Sequence, residues 1–397
     1  MAAMWSPIIG LLLLLLQLAP SSSSYIQLPL QGNVYPVGYF FVTMYIGGKP
    51  YSLDIDTGSN LTWLECLHPN HKYKICKGPH PPYRPNRSHK MVNCGGQFCT
   101  DLHKDLPPYQ DPPCHARQQH ECHYHVRYVE GTSSDGFIVN DTVFVDVFAP
   151  SKRVQIFFGF GCGCNQQPQK YSPVDGILGL GMGKVGFVAQ LKAHNVITKD
   201  IIGHCLSIDG GGYLFMGDYN FPAGVSWAPM RKYSHYYSPG PAQLLFGRKK
   251  IGSKTMMVFD SGTTYTYIPD GVYSQLLAEV KQSVSRSLER VTDQALPVCW
   301  KGPFASIQLV KGKFKPLALE FTNQVMHIPP ENYLTLTQKK NVCLGILQTP
   351  KAGGQMMIIG DVTMQDLLVI YDNVDKRVGW VSKQCKHNLE IPSIRAL

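Results

Sequence analysis

The chain has 397 residues, which is long for one hydrophobic core and sufficient for two. Apolar residues make up 44% of the chain and charged residues only 16%, which excludes an intrinsically disordered protein. The net charge of +10 comes from scattered Lys and Arg residues that form no basic block, so it argues against a nucleic-acid partner and favours acidic surfaces or substrates. The many Gly, Pro, Tyr, Thr and Val residues predict a mostly β fold with tight turns.

The first segment has the pattern of a secretory signal peptide, which we place at residues 1–24. A leucine-rich run from Ile8 to Ala19 is followed by Pro20 and four serines. The run is shorter than the roughly 20 apolar residues that span a bilayer, so a retained anchor or a core segment is the weaker alternative. The polar tail Lys386–Leu397 carries no lipid-anchor signal. We expect a protein of the secretory pathway, secreted to the extracellular space or vacuolar, without a membrane anchor after signal cleavage.

The first predicted element after this segment is a β-hairpin that leads into an aspartate. Alternating residues predict strands over Tyr39–Ile46 and Tyr51–Ile55, and the second strand ends directly before Asp56. The intervening Gly47-Gly48-Lys49-Pro50 predicts a four-residue turn.

A cysteine-rich insertion follows at about residues 66–122, where the alternation is lost. It holds six of the twelve cysteines: Cys66, Cys76, Cys94, Cys99, Cys114 and Cys122. In a secreted chain an even number of cysteines favours disulfides, here up to six, over free thiols. A zinc site could be drawn from Cys114, His115, His120, Cys122, His123 and His125, but their spacing matches no common zinc finger. We therefore expect no metal.

The remaining predicted elements are two strands, a glycine-rich loop and two helices. Alternation returns at Tyr124–Tyr128 and Phe137–Phe148. Gly181–Gly186 fits the dinucleotide-binding pattern G-x-G-x-x-G, but no βαβ unit surrounds it, so we interpret it as a loop. A short helix is predicted near Val188–His194 and a longer one over Asp270–Arg290, where apolar residues recur near helical spacing.

The two halves of the chain carry an internal repeat. The first copy is Leu53-Asp54-Ile55-Asp56-Thr57-Gly58-Ser59 and the second is Met257-Val258-Phe259-Asp260-Ser261-Gly262-Thr263. Each copy is followed, at a similar distance, by two apolar residues and a glycine: Ile177-Leu178-Gly179 and Ile358-Ile359-Gly360. The simplest interpretation is two like lobes, residues 25–225 and 226–397, with a boundary near Pro222–Pro229. Each lobe then contributes one aspartate.

Two carboxyl groups in contact can supply both proton transfers that peptide hydrolysis needs. At about 3 Å and an effective dielectric constant of about 20, two carboxylates repel by roughly 5 kcal/mol. This separates their ionisations by about four pH units, so one is charged and one protonated over a wide, mostly acidic range. The charged group takes a proton from water and the protonated group donates to the carbonyl oxygen. We expect Asp56 and Asp260 to form this catalytic pair.

Three pairs of residues, equivalent between the two copies, suit this role: Thr57 and Ser261, Gly58 and Gly262, Ser59 and Thr263. The glycines allow a tight turn whose N–H groups point at the carboxylates. The hydroxyls that follow them are placed to bond the carboxylates, and those that precede them can reach across the pseudo-two-fold axis. One Asp-Thr-Gly alone is a common turn, but two copies after apolar runs favour the catalytic interpretation.

These motifs resemble those of the pepsin-like aspartic peptidases, most closely the plant nepenthesin and nucellin-like branch, over nearly all of the chain after the signal segment. Asp56–Ser59 matches the Asp-Thr-Gly-Ser motif, Asp260–Thr264 the Asp-Ser-Gly-Thr-Thr motif, and Trp63 the tryptophan after the first. The resemblance implies a bilobal pepsin-like β fold with a long cleft and a β-hairpin flap. It implies an endopeptidase acting on protein or peptide substrates in extended form. We further expect no cofactor and a monomer.

The resemblance also places the flap at about residues 124–140. Residues implied to bind substrate are Tyr128, which corresponds to the flap tyrosine, Gly131, Thr132 and Thr264. Val129 stands where the branch usually has glycine, which bears on the mobility of the flap.

The resemblance implies two disulfides, Cys205–Cys385 and Cys299–Cys343, and leaves the pairing of the eight other cysteines open. Cys162 and Cys164 are too close in sequence to bond each other without strain. The family usually carries an inhibitory prosegment, but only about fifteen residues lie between the signal segment and the first hairpin. We therefore expect a chain that is active without processing or is limited in some other way.

Two further questions concern glycans and a rival function. The sequons are Asn60-Leu61-Thr62, Asn86-Arg87-Ser88 and Asn140-Asp141-Thr142. The first abuts the predicted catalytic turn, so Asn86 and Asn140 are the expected glycosylation sites.

The rival function is a binding protein on the same fold, because plant inhibitors and storage-type proteins of this fold have lost a catalytic position. Here both aspartates and their neighbours are present, which favours the peptidase.

Overall fold

The computed structural model describes residues 24–67, 78–85, 91–106, 121–129, 131–148, 151–163, 172–232, 234–284, 288–350 and 354–386. Outside these ranges lie most of the predicted signal segment, the sequon at Asn86, and Cys76, Cys114 and Cys164. Within the described ranges, no helix is long and apolar enough to cross a membrane.

The described residues form 24 β-strands, so the mostly β prediction is confirmed. The first ten are β1 Tyr25–Asn33, β2 Tyr39–Ile46, β3 Lys49–Asp56, β4 Trp63–Glu65, β5 His123–Arg127, β6 Ser133–Phe148, β7 Ser151–Gly163, β8 Gly176–Gly179, β9 Ile201–Leu206 and β10 Gly212–Gly217. The next seven are β11 Ser226–Pro229, β12 Gly240–Phe246, β13 Lys249–Phe259, β14 Thr266–Ile268, β15 Glu289–Val291, β16 Cys299–Lys301 and β17 Leu317–Glu320. The last seven are β18 Val325–Ile328, β19 Leu334–Leu336, β20 Asn341–Leu344, β21 Ile346–Gln348, β22 Met357–Ile359, β23 Leu367–Asp372 and β24 Arg377–Ser382.

Four α-helices accompany the strands in the described ranges: α1 Gln97–Asp105, α2 Phe187–Ala193, α3 Asp270–Ser283 and α4 Asp361–Met364, with 3₁₀ turns at Ile307–Val310 and Pro330–Asn332. The prediction of a helix as far as Arg290 was wrong, because α3 ends at Ser283 and β15 pairs with β16 instead. Ser283, Ser285 and Ser287 weaken a helix there, since serine side chains compete for backbone hydrogen bonds. The short helix near Val188–His194 is present as α2.

The first hairpin is confirmed, but its predicted four-residue turn was wrong. Lys49 and Pro50 belong to β3, where they pair with Ile46 and Tyr45. Only Gly47 and Gly48 form the turn, with φ of 58° and 79°. Positive φ at both central residues is the condition of a type I′ turn, which suits the twist of a hairpin and is easiest for glycine.

Three sheets organise the chain. The largest has 13 strands in the order β11-β24-β23-β9-β10-β1-β2-β3-β8-β4-β7-β6-β5. The second has seven strands, β18-β17-β12-β13-β22-β14-β21, and the third has four, β15-β16-β20-β19. The two smaller sheets use strands from the second half alone, whereas β11, β23 and β24 from that half join the largest sheet.

The internal repeat is visible in the strand pairing. β3 lies parallel to β8, with Ile55 opposite Leu178, and β13 lies parallel to β22, with Val258 opposite Ile358. The glycine that ends each apolar pair passes close to the turn after the aspartate. A Cβ on Gly179 would lie 2.4 Å from the carbonyl oxygen of Asn60. The apolar-apolar-glycine triplets therefore support the two aspartate-bearing turns.

The cysteine-rich insertion packs on the rest of the first half and contains a helix that the sequence did not predict. Cys99 and Leu102 of α1 are buried with Trp63, Tyr124 and Ile138. The insertion therefore shares a core with its neighbours. The described residues contain four complete disulfides: Cys66–Cys162, Cys99–Cys122, Cys205–Cys385 and Cys299–Cys343. The last two are the pairs that the resemblance implies.

Candidate active site

The turns that follow β3 and β13 face each other and bring Asp56 and Asp260 together. A Cβ on Gly58 would lie 2.7 Å from Oδ1 of Asp260, and a Cβ on Gly262 would lie 2.5 Å from Oδ1 of Asp56. Each turn therefore rests against the carboxyl group of the other. Any side chain in place of either glycine would collide with that carboxyl group.

Each carboxyl group is held by its own turn in the same way. The Gly58 N–H donates to Oδ1 of Asp56 at 2.8 Å, and the Ser59 hydroxyl donates to Oδ2. In the second turn, the N–H of the glycine donates to Oδ1 of Asp260 at 3.0 Å, and the Thr263 hydroxyl donates to Oδ2 at 2.8 Å. Bonds from backbone and side chain fix both carboxyl groups in one orientation.

The residues between each aspartate and its glycine bind across the two halves. The Thr57 N–H donates to Oγ of Ser261 at 3.2 Å, and the Ser261 N–H donates to Oγ1 of Thr57 at 3.0 Å. Each hydroxyl also donates to the backbone of the opposite half: Thr57 to Phe259 O at 3.3 Å and Ser261 to Ile55 O at 2.7 Å. All four bonds obey the pseudo-two-fold symmetry, so they fix the two turns relative to each other.

Burial and mutual charge make the pair retain a proton. Asp56 is only 4% exposed. Burial raises its pKa well above the ordinary value of an aspartate, and the nearby charge of Asp260 raises it further. Burial also raises the pKa of Asp260, while the hydroxyl of Thr263 and backbone N–H groups oppose that rise. The charge of one carboxyl group disfavours ionisation of the other, so the two titrate as one unit.

A third buried carboxyl group, which the sequence analysis did not single out, lies near this pair. Asp361 is 1% exposed, and in the described part of the chain its Oδ1 has no hydrogen-bond partner. Burial raises its pKa well above the ordinary range, and Asp54, Asp260 and Asp56 add to that rise. Asp361 follows Gly360 as Leu180 follows the corresponding glycine of the first half, so the repeat itself was the available signal.

The predicted flap forms a hairpin of β5 and β6, with the Tyr128 N–H bonded to Thr132 O at 2.8 Å. The tyrosine hydroxyl accepts a 2.6 Å hydrogen bond from Nε1 of Trp63. It lies near enough to Asp56 for that charge, after burial, to raise the pKa of Tyr128. Gly131 has φ of 92°, and Val129 is exposed at the tip. The hairpin therefore places Tyr128 beside Asp56.

Thr264, the last of the predicted substrate-binding residues, has a partner within the protein. Its hydroxyl donates to Gly38 O at 2.5 Å, across from the second half to the first. This ties the segment between β1 and β2 to the Asp260 turn. No local motif marks this bond, because its two ends are 226 residues apart.

A buried polar pair lies in the largest sheet, near Thr57. The Tyr371 hydroxyl is hydrogen-bonded to Nε2 of His204 at 3.0 Å. Both His204 and Tyr371 are fully buried, and among the described residues Nδ1 of His204 has no partner. No local motif marks this pair, because its members lie 167 positions apart, on strands β9 and β23.

The glycine-rich motif, two of the sequons and a cysteine–histidine cluster lie outside the candidate catalytic pair. Gly181–Gly186 is a loop after β8, and the Gly183 N–H donates to Oδ1 of Asn60 at 2.9 Å, so the side chain of the first sequon is engaged. Asn140 is exposed on β6. In the described part, Cys99, His103 and Cys122 lie close enough to hold a metal ion, but the two cysteines form a disulfide.

Comparison with known proteins decides the family. The family model "Xylanase inhibitor N-terminal" matches residues 40–218, and "Xylanase inhibitor C-terminal" matches residues 241–382. An aspartic proteinase from rice (Oryza sativa subsp. indica) is 43% identical to the chain and aligns with 94% of each protein. The chain belongs to the pepsin-like aspartic protease family. It is an aspartic-type peptidase, and the family expected from the motifs is confirmed.

More distant relatives of this protease agree. Aspartic proteinase 36 from Arabidopsis thaliana is 27% identical and aligns with 92% of this chain and 78% of its own. Nepenthesin-2 from Nepenthes gracilis is 24% identical, with coverage of 92% and 81%. The protease also matches the crystal structure of basic 7S globulin from soybean, with a TM-score of 0.68, 17% identity, and coverage of 91% of this chain and 97% of the globulin. That likeness confirms the bilobal pepsin-like fold and carries no further conclusion.

Proposed function

We propose that the protease is an endopeptidase that hydrolyses peptide bonds with a water molecule activated between Asp56 and Asp260. The observation that carries this proposal is the pair of equivalent turns. Each turn presents one carboxyl group, held by a glycine N–H and a hydroxyl, against the other turn. A raised pKa for both groups, caused chiefly by burial, supports a shared proton in acidic solution.

The proposed reaction uses the two carboxyl groups in opposite roles. The charged group takes a proton from water as the oxygen attacks the peptide carbonyl, and the protonated group donates to the carbonyl oxygen. The tetrahedral intermediate collapses when the group that took the water proton donates it to the leaving nitrogen. The other carboxylate takes a proton from a hydroxyl of the intermediate, so the pair again holds one proton. Because Tyr128 lies beside Asp56 on the flap, we propose that it closes over an extended substrate together with Gly131 and Thr132. Thr264 is proposed to contribute through its bond to Gly38.

We also propose the two lobes at residues 25–225 and 226–397, the insertion at about 66–122 and the flap at about 124–140. The two smaller sheets, formed only from residues 240–359, support this division. Disulfides in the described residues support a secreted or vacuolar protein. Removal of the signal segment and glycans at Asn86 and Asn140 are proposed from the sequence motifs.

The test is cleavage of a quenched peptide library between pH 3 and 7, with and without pepstatin. Asp56→Asn and Asp260→Asn should each lower the rate at least about 100-fold, because each removes one proton-transfer group. The exposed Asp209→Asn variant is the matched control and should retain activity. Full activity in either active-site variant would refute the mechanism. A well-folded wild-type protein that cleaves nothing would favour a binding protein.

A further inference from the structure

Two short basic runs that are distant in sequence lie side by side in the structure. Arg248 lies in the turn between β12 and β13, and Lys249 and Lys250 begin β13. A second run holds Lys311, Lys313 and Lys315. Phe246 pairs with Leu317, and the Gly247 N–H donates to Pro316 O at 2.8 Å. The fold therefore assembles a basic surface, which consists of these six cationic residues, although the sequence itself shows no basic block.

The basic surface is exposed and poorly neutralised. All six residues are exposed. Lys249 pairs with Glu279 at 2.6 Å and Lys311 with Glu331 at 2.7 Å. Among the described residues, no carboxylate lies within ion-pair distance of the other four: Arg248, Lys250, Lys313 and Lys315. Cations clustered in this way attract a polyanion through the release of its counterions.

The side chains around the basic surface favour a carbohydrate polyanion over other kinds. Phe246 and Phe314 are buried, and Nζ of Lys315 lies over the Phe246 ring. The surface thus offers no exposed ring for base stacking, which single-stranded nucleic acids use. Leu309 is the exposed large apolar residue beside it, and one such residue is a weak membrane anchor. Five of the six cations are lysines, whose point charges on flexible stems impose no fixed geometry and can follow the charges of a flexible polymer.

The basic surface is far from the proposed catalytic pair. β13 runs for 11 residues from Lys249 to the residue before Asp260. At about 3.3 Å for each residue, the strand separates the two by roughly 35 Å. A polymer bound at one end of the strand therefore leaves the other end open to substrate.

We propose that the basic surface binds a linear acidic polysaccharide and tethers the protease to it. The inference does not depend on the catalytic mechanism. The probe is polygalacturonate, with neutral dextran as the uncharged reference, and binding is measured by calorimetry at 50 and 200 mM NaCl.

The test compares two triple variants with the same change in net charge. One is Arg248→Gln, Lys313→Gln and Lys315→Gln. The matched control is Lys152→Gln, Lys192→Gln and Lys339→Gln, which removes three exposed cations elsewhere. Wild type and control should bind polygalacturonate, more weakly at higher salt, and the first variant should bind at least about tenfold more weakly. Peptide cleavage and thermal unfolding should be unchanged in both variants.

Three outcomes would overturn the proposal. Equal binding by the two triple variants would assign the effect to net charge alone. Binding of dextran as tight as that of polygalacturonate would exclude a charge-based site. Tighter binding to vesicles that contain phosphatidylglycerol, or to a single-stranded DNA oligonucleotide, would identify a different polyanion.

Discussion

At the scale of single residues, one buried position of the site carries a carboxyl group in the second half and an apolar side chain in the first. The residue after the glycine of the apolar triplet is Leu180 in the first half and Asp361 in the second, and both are buried. A carboxyl group there must stay protonated, because no cation compensates its charge in the described surroundings and three other aspartates lie near. The folded state therefore holds a proton that the unfolded chain releases above its ordinary pKa of 3.8.

We expect Asp361→Asn to reduce the loss of stability between pH 4 and pH 7. The pKa of Asp361 is raised in the folded state, so its contribution to stability is present below about pH 4. It falls by at most about 1.4 kcal/mol for each pH unit as the pH rises toward the folded-state pKa. Asparagine keeps the size and neutrality of the protonated group. Urea denaturation at both pH values measures the difference, and an identical loss in variant and wild type would contradict this account.

His204 gives a pH dependence of opposite sign. Burial lowers its pKa from 6.5 to about 3, so the folded protein keeps it neutral while the unfolded chain takes up a proton below about pH 6.5. Stability from this residue is therefore complete above that pH and is lost as the pH falls toward 3. The buried histidine therefore lowers the stability of the folded state in acid, where the protein is proposed to work.

We expect His204→Gln to lose about 3 kcal/mol less than wild type when the pH is lowered from 7 to 4. Glutamine can keep a hydrogen bond to Tyr371 and has no titrating group. The variant will be less stable at pH 7 because it packs less well. The informative quantity is the change in unfolding free energy between the two pH values, and equal changes would show that His204 does not cause the acid sensitivity.

At the scale of elements, the hairpin that leads into Asp56 depends on its two-residue turn. Gly47 and Gly48 both have positive φ, but their surroundings differ. A Cβ on Gly47 would lie 2.6 Å from Oδ2 of Asp141, which accepts a hydrogen bond from Tyr83, whereas a Cβ on Gly48 would meet nothing within 4 Å. Substitution of Gly48 therefore tests backbone strain alone, whereas substitution of Gly47 tests backbone strain together with a steric collision.

We expect Gly48→Ala to cost about 1–2 kcal/mol of unfolding free energy, from the left-handed backbone alone. Gly47→Ala should cost more, since the added methyl group also displaces the carboxyl group of Asp141. Thermal or urea denaturation of the two variants gives the comparison. If both cost the same, the contact with Asp141 has no effect on stability.

The strands and helices differ in how well the sequence alone predicts them. Strands β2, β3 and β6 and helices α2 and α3 were predicted in type because their apolar periodicity is regular. Helix α1 was missed because its buried face consists of Cys99 and Leu102 among polar residues, and cysteine is a weak pattern signal. Strand β1 was missed because its side chains show no clean alternation of burial.

Within the candidate site, the residues beside each aspartate were predicted because they occur twice in local motifs. His204, Tyr371 and Asp361 could not be placed by pattern, since their partners come from strands distant in sequence. The basic surface is a similar case, because only the pairing of β12 with β17 joins its two runs.

At the scale of the whole molecule, the two halves are joined at the site by hydroxyl groups. Thr57 and Ser261 are buried, and each accepts the N–H of the other. Removal of either hydroxyl leaves a buried N–H and a buried carbonyl oxygen of the opposite half without a partner, which costs about 1–3 kcal/mol for each group. Both hydroxyls belong to the same contact between the two halves, so the effects of removing them should depend on each other.

We therefore expect a double-mutant cycle of Thr57→Val and Ser261→Ala to show a coupling energy of about 0.5–3 kcal/mol, measured by urea denaturation. The control cycle combines Ser261 with Thr62 instead of Thr57. The buried hydroxyl of Thr62 accepts the Gly179 N–H at 2.9 Å, a bond within the first half. Thr62→Val and Ser261→Ala should be additive. Additivity in the first cycle would mean that the crossed bonds do not act as one unit.

Strand β23 pairs with β9, and this pairing cannot form until most of the second half has been synthesised. β9 lies between β10 and β23 in the largest sheet, and the disulfide from Cys205 reaches Cys385, 180 residues later. At 5–20 residues per second, a ribosome needs roughly 10–40 seconds to make that stretch. During this time one edge of β9 has no neighbour to bond, and an open edge can pair with another chain. The nascent protein is therefore exposed to aggregation, and in need of chaperones, while its second half is being synthesised.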